Sequence, residues 1–341
     1  MTPEEIKLLV DTVTSLLEAK TSGDLAWDEP LWSELAAAGF TAIGHESDEP
    51  EDFAAAAAMV AAAAGRAAAV PLAEHLLLAL PACRIAGFSN PVDPTALATL
   101  ATGAVRAERD DGAWHLDGVA SDAPWASVSA LVVALVHVDS RPGLALVPTR
   151  GLSIEASVNI AGEPRDRIRF EATKALEVRL LTDDAVAGLR SRYALARAVQ
   201  ISGALRRILD LTVGYARQRE QFGRPIFEFQ VIRSHLAVMA GEVEATEAIV
   251  GAAAETTTES AEFRILAAAA KVRAGMAVDA VTRSAHQVHG AIGLTQEYPL
   301  HRLTRRCWAW RDEAGSANHW SRVIARAFLD SDELWPVLSR H

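Results

Sequence analysis

The chain of 341 residues has only two cysteines, no surplus of basic residues and no long uncharged apolar run. Cys83 and Cys307 lie far apart and match no metal-binding spacing, so we predict buried thiols in a reducing cytoplasm. The formal charge of −11 argues against nucleic-acid or anionic-membrane binding, because both need an excess of lysine and arginine. The alanine-rich stretch 54–69 contains Arg66, which predicts a buried helix rather than a membrane span.

The sequence also lacks an internal repeat, a low-complexity linker and a signal peptide, since residues 1–5 are typical of an acidic helix start. Half of the residues are apolar and 23% are charged, which is ordinary for a soluble globular protein. A chain of this length is too long for one small core, so we expect two or three subdomains. These properties together predict a cytoplasmic protein without a membrane span.

Changes in hydrophobic periodicity divide the chain into three predicted domains. Residues 1–92 have helical spacing. In residues 93–182 the period falls to two and turn residues are frequent, which predicts a small antiparallel β domain folded as a compact barrel. Residues 183–341 are helical again and form a C-terminal bundle, so the fold class is α+β. The predicted helices of this last part lie near 184–219, 228–256, 259–289, 298–312 and 317–330.

Within the middle domain, strand and turn signals alternate at short intervals. Residues 114–116 resemble a strand that ends at a turn-forming pair, Asp117 and Gly118. Residues 130–138 form a continuous apolar run, and residues 144–147 and 168–170 predict further strands. The triplet Arg-Pro-Gly at 141–143 is typical of a hairpin turn.

A basic, polar turn at residues 217–225 separates two long amphipathic helical patterns. Gly223 and Pro225 are helix-stop signals, so the first helix carries Arg217 and Arg219 to its end. A phosphate-bearing ligand could bind at this junction, because arginine supplies charge-assisted donors. Taken alone, Arg219 fits equally well as a cation that stabilises a helix C-terminus.

Two stretches together resemble the acyl-CoA dehydrogenase family. The first is Arg-Glu-Gln-Phe-Gly at 219–223, followed by Phe229 and Gln230. The second is Gln-Val-His-Gly-Ala-Ile-Gly at 287–293, followed by Glu-Tyr-Pro-Leu at 297–300. Their order and separation also fit, and the resemblance covers roughly residues 184–330. It implies an N-terminal helical domain, a middle β domain and a C-terminal four-helix bundle.

The resemblance implies that these motifs bind the ADP half of FAD, with the flavin ring largely in a neighbouring subunit. Arginine suits the pyrophosphate, a phenyl ring provides an apolar wall, and glycine allows close backbone approach. Ala291 stands where the family usually has a second glycine. Singly, Gln287 and His289 fit ordinary polar groups at a helix end. The implied FAD contacts are Arg219, Gln221, Phe222, Gln230, Gln287, Val288, His289, Gly290 and Ala291.

The middle domain departs from the family where the flavin ring should bind. Residues 97–105 contain no acidic-Pro-Gly loop, and residues 118–126 lack the usual lysine and the aromatic residue after it. Asp122 stands about where that aromatic is common, and an anion there would oppose the gain of electron density by a flavin. Trp125 is either a displaced flavin-stacking residue or a buried aromatic of the β domain.

The catalytic base is the second departure from the family. The reaction removes a proton from the carbon α to the thioester carbonyl, so a carboxylate must reach that carbon. Alignment leaves Glu313 as the one serious candidate, since the alternative position in the first bundle helix falls near Tyr193 and Ala194. The run Arg311-Asp312-Glu313 is also typical of a solvated helix end.

Three hypotheses remain from the sequence. The chain is a self-sufficient homo-oligomeric acyl-CoA dehydrogenase with Glu313 as base, or it is a flavin-free structural relative. The pattern of losses favours a third hypothesis, in which it resembles the short subunit of actinobacterial heteromeric (α2β2) enzymes. That resemblance implies a homologous partner subunit, an acyl-CoA substrate, an electron-transfer flavoprotein as acceptor and a role in lipid or steroid side-chain degradation.

Overall fold

The computed structural model describes residues 2–20, 27–45, 49–89, 93–256 and 260–329. Part of the acidic loop predicted at 44–51 and the last residue of the helix predicted at 317–330 lie outside these ranges. The order of elements is helices, then strands, then helices, as the sequence predicts. The division into three domains at residues 92 and 182 stays a prediction.

Within these ranges the chain forms nine α-helices, and in the last five the ends lie within two residues of the predicted ones. A π-helical segment, Ala73–Ala79, leads directly into the fourth helix. None of the described helices is both long enough and apolar enough to cross a bilayer. The helices are α1 (Pro3–Lys20), α2 (Glu29–Ala37), α3 (Pro50–Gly65), α4 (Leu80–Ala86), α5 (Asp183–Gln218), α6 (Gln230–Ala254), α7 (Ala261–His289), α8 (Leu300–Asp312) and α9 (Ala317–Leu329).

Seven strands between α4 and α5 form one sheet, which is not the closed barrel predicted from the sequence. The sheet order is β5-β6-β2-β1-β3-β4-β7, and every pair is antiparallel except β1 with β3. The sheet has an apolar core of its own, but β5 and β7 at its two edges do not pair, so it is not closed into a barrel. The strands are β1 (Ala98–Asp110), β2 (Ala113–Pro124), β3 (Leu131–Val138), β4 (Arg141–Pro148), β5 (Ser153–Glu155), β6 (Arg165–Ala175) and β7 (Glu177–Leu180).

Both turns predicted inside the sheet are displaced from their predicted positions. β1 and β2 turn at Asp111 and Gly112, and β3 and β4 turn at Asp139 and Ser140, all four with positive φ. Gly118 lies inside β2 instead, at φ 127°, where a Cβ would lie 2.2 Å from the carbonyl oxygen of Ala104. Glycine is needed there because β1 and β2 approach closely, and not because the chain turns.

Close packing between α3 and α5 depends on a glycine. A Cβ on Gly203 would lie 2.0 Å from the Ala61 carbonyl oxygen, which no helix pair can accommodate without moving apart. We expect Gly203→Ala to lower the free energy of unfolding by about 1–3 kcal/mol through overpacking. Gly188→Ala, on the same helix with open space around it, should raise it by about 0.5–1 kcal/mol. Urea denaturation of both variants tests this, and a neutral Gly203→Ala would contradict the packing described.

Candidate functional site

The two sequence motifs meet at one end of the helical bundle. α5 and α7 finish side by side, and the rings of Tyr215 and His289 stack there with centroids 4.6 Å apart. The first turns of α6 lie against the same end, since the His235 Nδ1 atom is 3.3 Å from the Ser284 hydroxyl of α7. Motif residues that are far apart in sequence therefore share one surface.

A tight hairpin presents the phenyl ring of the first motif. It consists of β8 (Glu220–Gln221) and β9 (Arg224–Pro225), joined by Phe222 at φ 54° and Gly223 at φ 76°. A positive φ is uncommon for a bulky residue and costs free energy, so its persistence favours a functional role. The Phe222 side chain is 91% exposed, and its ring lies 6.1 Å from the ring of Phe229.

Polar side chains around this hairpin have no partners in the described part of the chain. Arg219, Gln221, Gln230 and Gln287 are all exposed and form no side-chain hydrogen bond or ion pair there. Gln230 is the first residue of α6, whose N-terminus has no side-chain cap. The free backbone donors of such a terminus favour an anion. Donors for an anionic ligand are therefore available on three chain segments, namely the hairpin, the start of α6 and the end of α7.

The second motif contributes backbone rather than buried side chains. Val288 and His289 are buried, and His289 is held by the Ala285 carbonyl oxygen at 2.8 Å and the Tyr298 hydroxyl at 3.0 Å. Gly290 follows at φ 62° with open space where a Cβ would stand. Ala291 is exposed. This surface suits close approach of a ligand to the backbone.

These features fit the ADP half of FAD. Arg219 and the α6 N-terminus can hold a pyrophosphate, Phe222 can cover an aromatic base, and the two glutamine amides can bind hydroxyl or ring atoms. Arg217 is less available, since its guanidinium lies 5.5 Å from the Phe227 ring centroid. The individual contacts remain predictions.

Glu313, the predicted base, lies in a buried ion network at the C-terminal end of α8. Arg165 donates to both carboxylate oxygens at 2.9 Å, and Asn159 donates to one at 2.9 Å. Nε of Arg197 lies 2.8 Å from the Oε2 atom, an ion pair without a good hydrogen-bond angle. Burial alone would raise the pKa of Glu313, but Arg197 and Arg165 outweigh it and hold that pKa below its usual range.

The ion network joins three regions of the chain. The π-helical segment supplies Glu74, which pairs with Arg197 of α5 at 2.8 Å. Glu163, before β6, accepts from the Trp310 indole at 2.8 Å. A cavity of only about 10 Å³ remains beside these side chains. The six charged members, three of each sign, are Glu74, Glu163, Arg165, Arg197, Arg306 and Glu313.

Sequence reasoning missed this network, although one signal was present. Arg197 stands alone within the apolar run 194–199 of α5, and its side chain is fully buried. A buried arginine needs carboxylate partners, so its position could have predicted paired glutamates elsewhere. Asp312 and Arg311, the neighbours of Glu313, pair with each other at the surface as a solvated helix end would.

Trp125, at the start of the turn after β2, is only 3% exposed. The centroid of its ring lies 6.2 Å from that of Trp27, so it packs as a buried aromatic.

Comparison with known proteins identifies relatives of this chain. Residues 191–329 match the family described as "Acyl-CoA dehydrogenase, C-terminal domain". Acyl-CoA dehydrogenase IpdE2 of Mycobacterium tuberculosis is 30% identical over 324 residues, which cover 89% of this chain and 91% of that protein. The 3-sulfinopropanoyl-CoA desulfinase of Paraburkholderia xenovorans is 33% identical over 242 residues, 66% of this chain but only 62% of the desulfinase.

Solved structures share the fold over nearly the whole chain. The ChsE4-ChsE5 complex from Mycobacterium tuberculosis contains a chain with TM-score 0.86 and 24% identity, covering 98% of this chain and 99% of that one. A "Tcur3481-Tcur3483 steroid ACAD" variant gives TM-score 0.83 and 23% identity, covering 96% and 98%. The 30% identity to IpdE2 over 89% of this chain, together with the matched family model, shows that the chain belongs to the acyl-CoA dehydrogenase family, whose members bind FAD.

Proposed function

We propose that this chain is the subunit of a heteromeric, FAD-dependent acyl-CoA dehydrogenase that binds the ADP part of FAD. The observation that carries the proposal is the exposed Phe222 at positive φ, on the same end of the bundle as Arg219, Gln221, Gln230 and Gln287, whose exposed side chains have no hydrogen-bond or ion-pair partner among the described residues. Exposed apolar rings with unused donors around them are typical of binding surfaces. In a flavin-free structural relative, a strained hairpin beside four polar side chains that lack described partners would have no binding role.

A homologous partner subunit would hold the flavin ring and supply the catalytic carboxylate. The geometry of Glu313 supports this division, since three side chains already occupy its oxygens and its lowered pKa disfavours proton uptake. The alternative is a self-sufficient homo-oligomer in which Glu313 is the base. As a base, Glu313 would have to move away from Arg165 and Arg197 during turnover. Both buried positive charges would then lose a carboxylate partner.

The substrate in this proposal is an acyl-CoA thioester, which loses hydrogen from its α and β carbons. FAD supplies the hydride acceptor when bound, and an electron-transfer flavoprotein would reoxidise it. The name of one structural neighbour, a steroid acyl-CoA dehydrogenase, supports steroid side-chain degradation as the pathway class. This chain's own residues would hold the cofactor through Arg219 and its neighbours.

Co-expression with its partner tests the proposal. We expect the chain purified alone to contain no FAD, and the co-purified complex to contain one FAD for each pair of chains. A full complement of FAD in the chain alone, with dehydrogenase activity, would establish the self-sufficient alternative. Absence of FAD from both preparations would support the flavin-free alternative and overturn the proposal.

A further inference from the structure

A short loop connects the second motif to α8. Residues 290–297 leave α7 at Gly290, pass through a 3-10 segment that ends at Leu294, and continue to the start of α8. The first residues of the loop, Gly290 and Ala291, are two of the predicted FAD contacts. Only Gly293 of the loop is buried, and the Leu294 side chain is 71% exposed. Apolar packing therefore contributes little to the conformation of this loop, and polar contacts must hold it.

Tyr298 closes the loop on the end of α7. Its hydroxyl oxygen lies 3.0 Å from the Nε2 atom of His289, the last residue of α7. Gly293 lies against the same histidine, since a Cβ built on it would be 3.0 Å from the His289 Cβ. The carbonyl oxygen of Tyr298 accepts from the Nδ1 atom of His301 at 2.8 Å, which fixes Tyr298 from the α8 side. The two ends of the loop are thus joined through the side chain of His289.

The neighbours of His289 determine which ring nitrogen carries its proton. The Nδ1 atom lies 2.8 Å from the Ala285 carbonyl oxygen, which can only accept, so Nδ1 is the donor. Nε2 of the neutral ring then offers a lone pair, and the Tyr298 hydroxyl donates to it. Burial lowers the pKa of His289 and raises that of Tyr298, which favours the neutral form of both.

Stacked rings connect His289 to the first motif. The Tyr215 ring of α5 lies nearly parallel to the imidazole, with centroids 4.6 Å apart, and meets the Tyr298 ring edge-on at 6.2 Å. The Tyr215 carbonyl oxygen accepts from the backbone N–H of Arg219 at 2.9 Å. The turn at Gly290 and the arginine that would hold the pyrophosphate are therefore supported by one aromatic cluster.

Titratable groups face the pair of His289 and Tyr298 from three helices. They are Tyr215 and Arg207 of α5, His286 of α7 and His301 of α8. None of these four is a carboxylate that would pair with an imidazolium. The surroundings thus favour neutral His289, the form that accepts from Tyr298.

We propose that Tyr298 is a positioning residue for FAD, whose hydroxyl holds neutral His289 and thereby fixes the loop 290–297 in the conformation that presents Gly290 to the cofactor. This role rests on the proposed function, since the loop bears on FAD only if it contacts the ADP part. A loop that is fixed before binding loses less conformational entropy when the cofactor binds. The net contribution of one such hydrogen bond corresponds to about 2- to 10-fold in affinity.

Protonation of His289 breaks this arrangement, because Nε2 of the imidazolium carries a hydrogen and no longer accepts from Tyr298. Wild type should therefore bind FAD about 2- to 10-fold more weakly as the pH falls through the pKa of His289, which lies below its usual 6.5. The added positive charge alone would act in the opposite direction, since it attracts the pyrophosphate. The sign of the pH effect thus separates positioning from charge.

Fluorescence titration of the deflavinated, co-purified complex with FAD, from about pH 5 to about pH 8, spans the usual histidine pKa of about 6.5. Tyr298→Phe should show the raised dissociation constant already at neutral pH, with no further rise in acid. His289→Gln keeps a donor and an acceptor but does not titrate, so its dissociation constant should not rise in acid either. Thr295→Val is the matched control and should behave as wild type, because the hydroxyl it removes donates to Ile292 inside the loop and does not join the loop to α7.

NMR of the full chain with 15N-labelled histidine tests the same pair without FAD. The His289 signals, identified by their loss in His289→Gln, should show the proton on Nδ1 at neutral pH. Tyr298→Phe should raise the pKa of His289, because the hydroxyl stabilises only the neutral ring. Thr295→Val should leave that pKa unchanged.

Unchanged FAD affinity in Tyr298→Phe, tighter FAD binding by wild type in acid, or a His289 proton on Nε2 at neutral pH would overturn the positioning role. If Arg219→Ala weakens FAD binding in the same assay, the proposed function stands and only the role of Tyr298 fails. Absence of FAD binding by the wild-type complex would overturn both. Should Tyr298→Phe fail to fold, the difference between the pH profiles of wild type and His289→Gln decides.

Discussion

Replacing Glu313 by alanine is expected to lower the free energy of unfolding by about 3–5 kcal/mol, because it breaks a buried ion pair from one side. Arg165 and Arg197 would keep their positive charges, and their remaining ion-pair partners among the described residues would be Glu163 and Glu74. The pKa of Glu313 lies below its usual 4.5, so its contribution is complete above that pH. It is lost as the pH falls through the lower, folded-state pKa.

Urea denaturation at neutral and acid pH measures this effect. The difference between wild type and Glu313→Ala should be constant at neutral pH and shrink below pH 4.5. Asp312→Ala is the matched control, since the neighbouring carboxylate is 68% exposed and pairs only with Arg311 at the surface. A loss for Glu313→Ala no larger than for Asp312→Ala would show that the network contributes little.

Turnover separates the structural role of Glu313 from the role of a base. Loss of a general base costs about 10²–10⁴-fold in rate. Glu313→Gln keeps the shape and one acceptor oxygen, so kcat of the folded, co-purified enzyme should fall by much less than that. A loss within that range, with FAD content unchanged, would favour the self-sufficient alternative.

Replacing Arg219 by alanine is expected to raise the dissociation constant for FAD by about 30- to 1,000-fold. Truncating one partner of a charge-assisted hydrogen bond costs about 2–4 kcal/mol, and the Arg219 side chain has no hydrogen bond or ion pair with the described residues to lose instead. The stability of the chain itself should change by less than about 0.5 kcal/mol, since surface substitutions of this kind are usually neutral. Fluorescence titration of the deflavinated complex with FAD gives the dissociation constant.

Arg217→Ala is the matched control for this experiment. It removes the same charge two residues earlier, but its guanidinium already contacts the Phe227 ring. A modest weakening that disappears at high salt is expected there, because only long-range attraction is lost. Equal effects of the two substitutions would mean that Arg219 acts through general charge rather than a direct contact. An unaltered dissociation constant in Arg219→Ala would contradict the ADP-binding role.

Helix positions could be predicted from the sequence because each helix has a continuous amphipathic repeat. α5–α9 follow that repeat closely, Thr182 and Ser260 cap the N-termini of α5 and α7, and Gly290 ends α7. The residues of the candidate cofactor site are neighbours along two short motifs, so the family resemblance could name them from the sequence, and their contacts with FAD stay predictions. A sequence pattern is therefore sufficient to predict a feature that depends on residues close together along the chain.

Long-range features could not be predicted in the same way. Closure of the sheet depends on whether β5 and β7 meet, which no local pattern encodes. The turn at Asp139 and Ser140 has no glycine or proline, whereas Gly143 inside β4 resembled a turn residue. A Cβ on Gly143 would lie 2.7 Å from the Arg179 carbonyl oxygen, so its glycine serves strand packing. The role of Glu313 likewise depends on partners 116 or more residues away.

The buried ion network has a consequence for the order of folding. Its contacts close loops of 123 residues between Glu74 and Arg197 and 148 residues between Arg165 and Glu313. Loops of this length close late in folding, because the chain loses conformational entropy on closure before the stabilising contacts form. Until then Arg197 has no carboxylate partner within the apolar run 194–199 of α5. Amides near Arg197 should therefore become protected from hydrogen exchange only in the final folding step, together with those of the loop that carries Glu163.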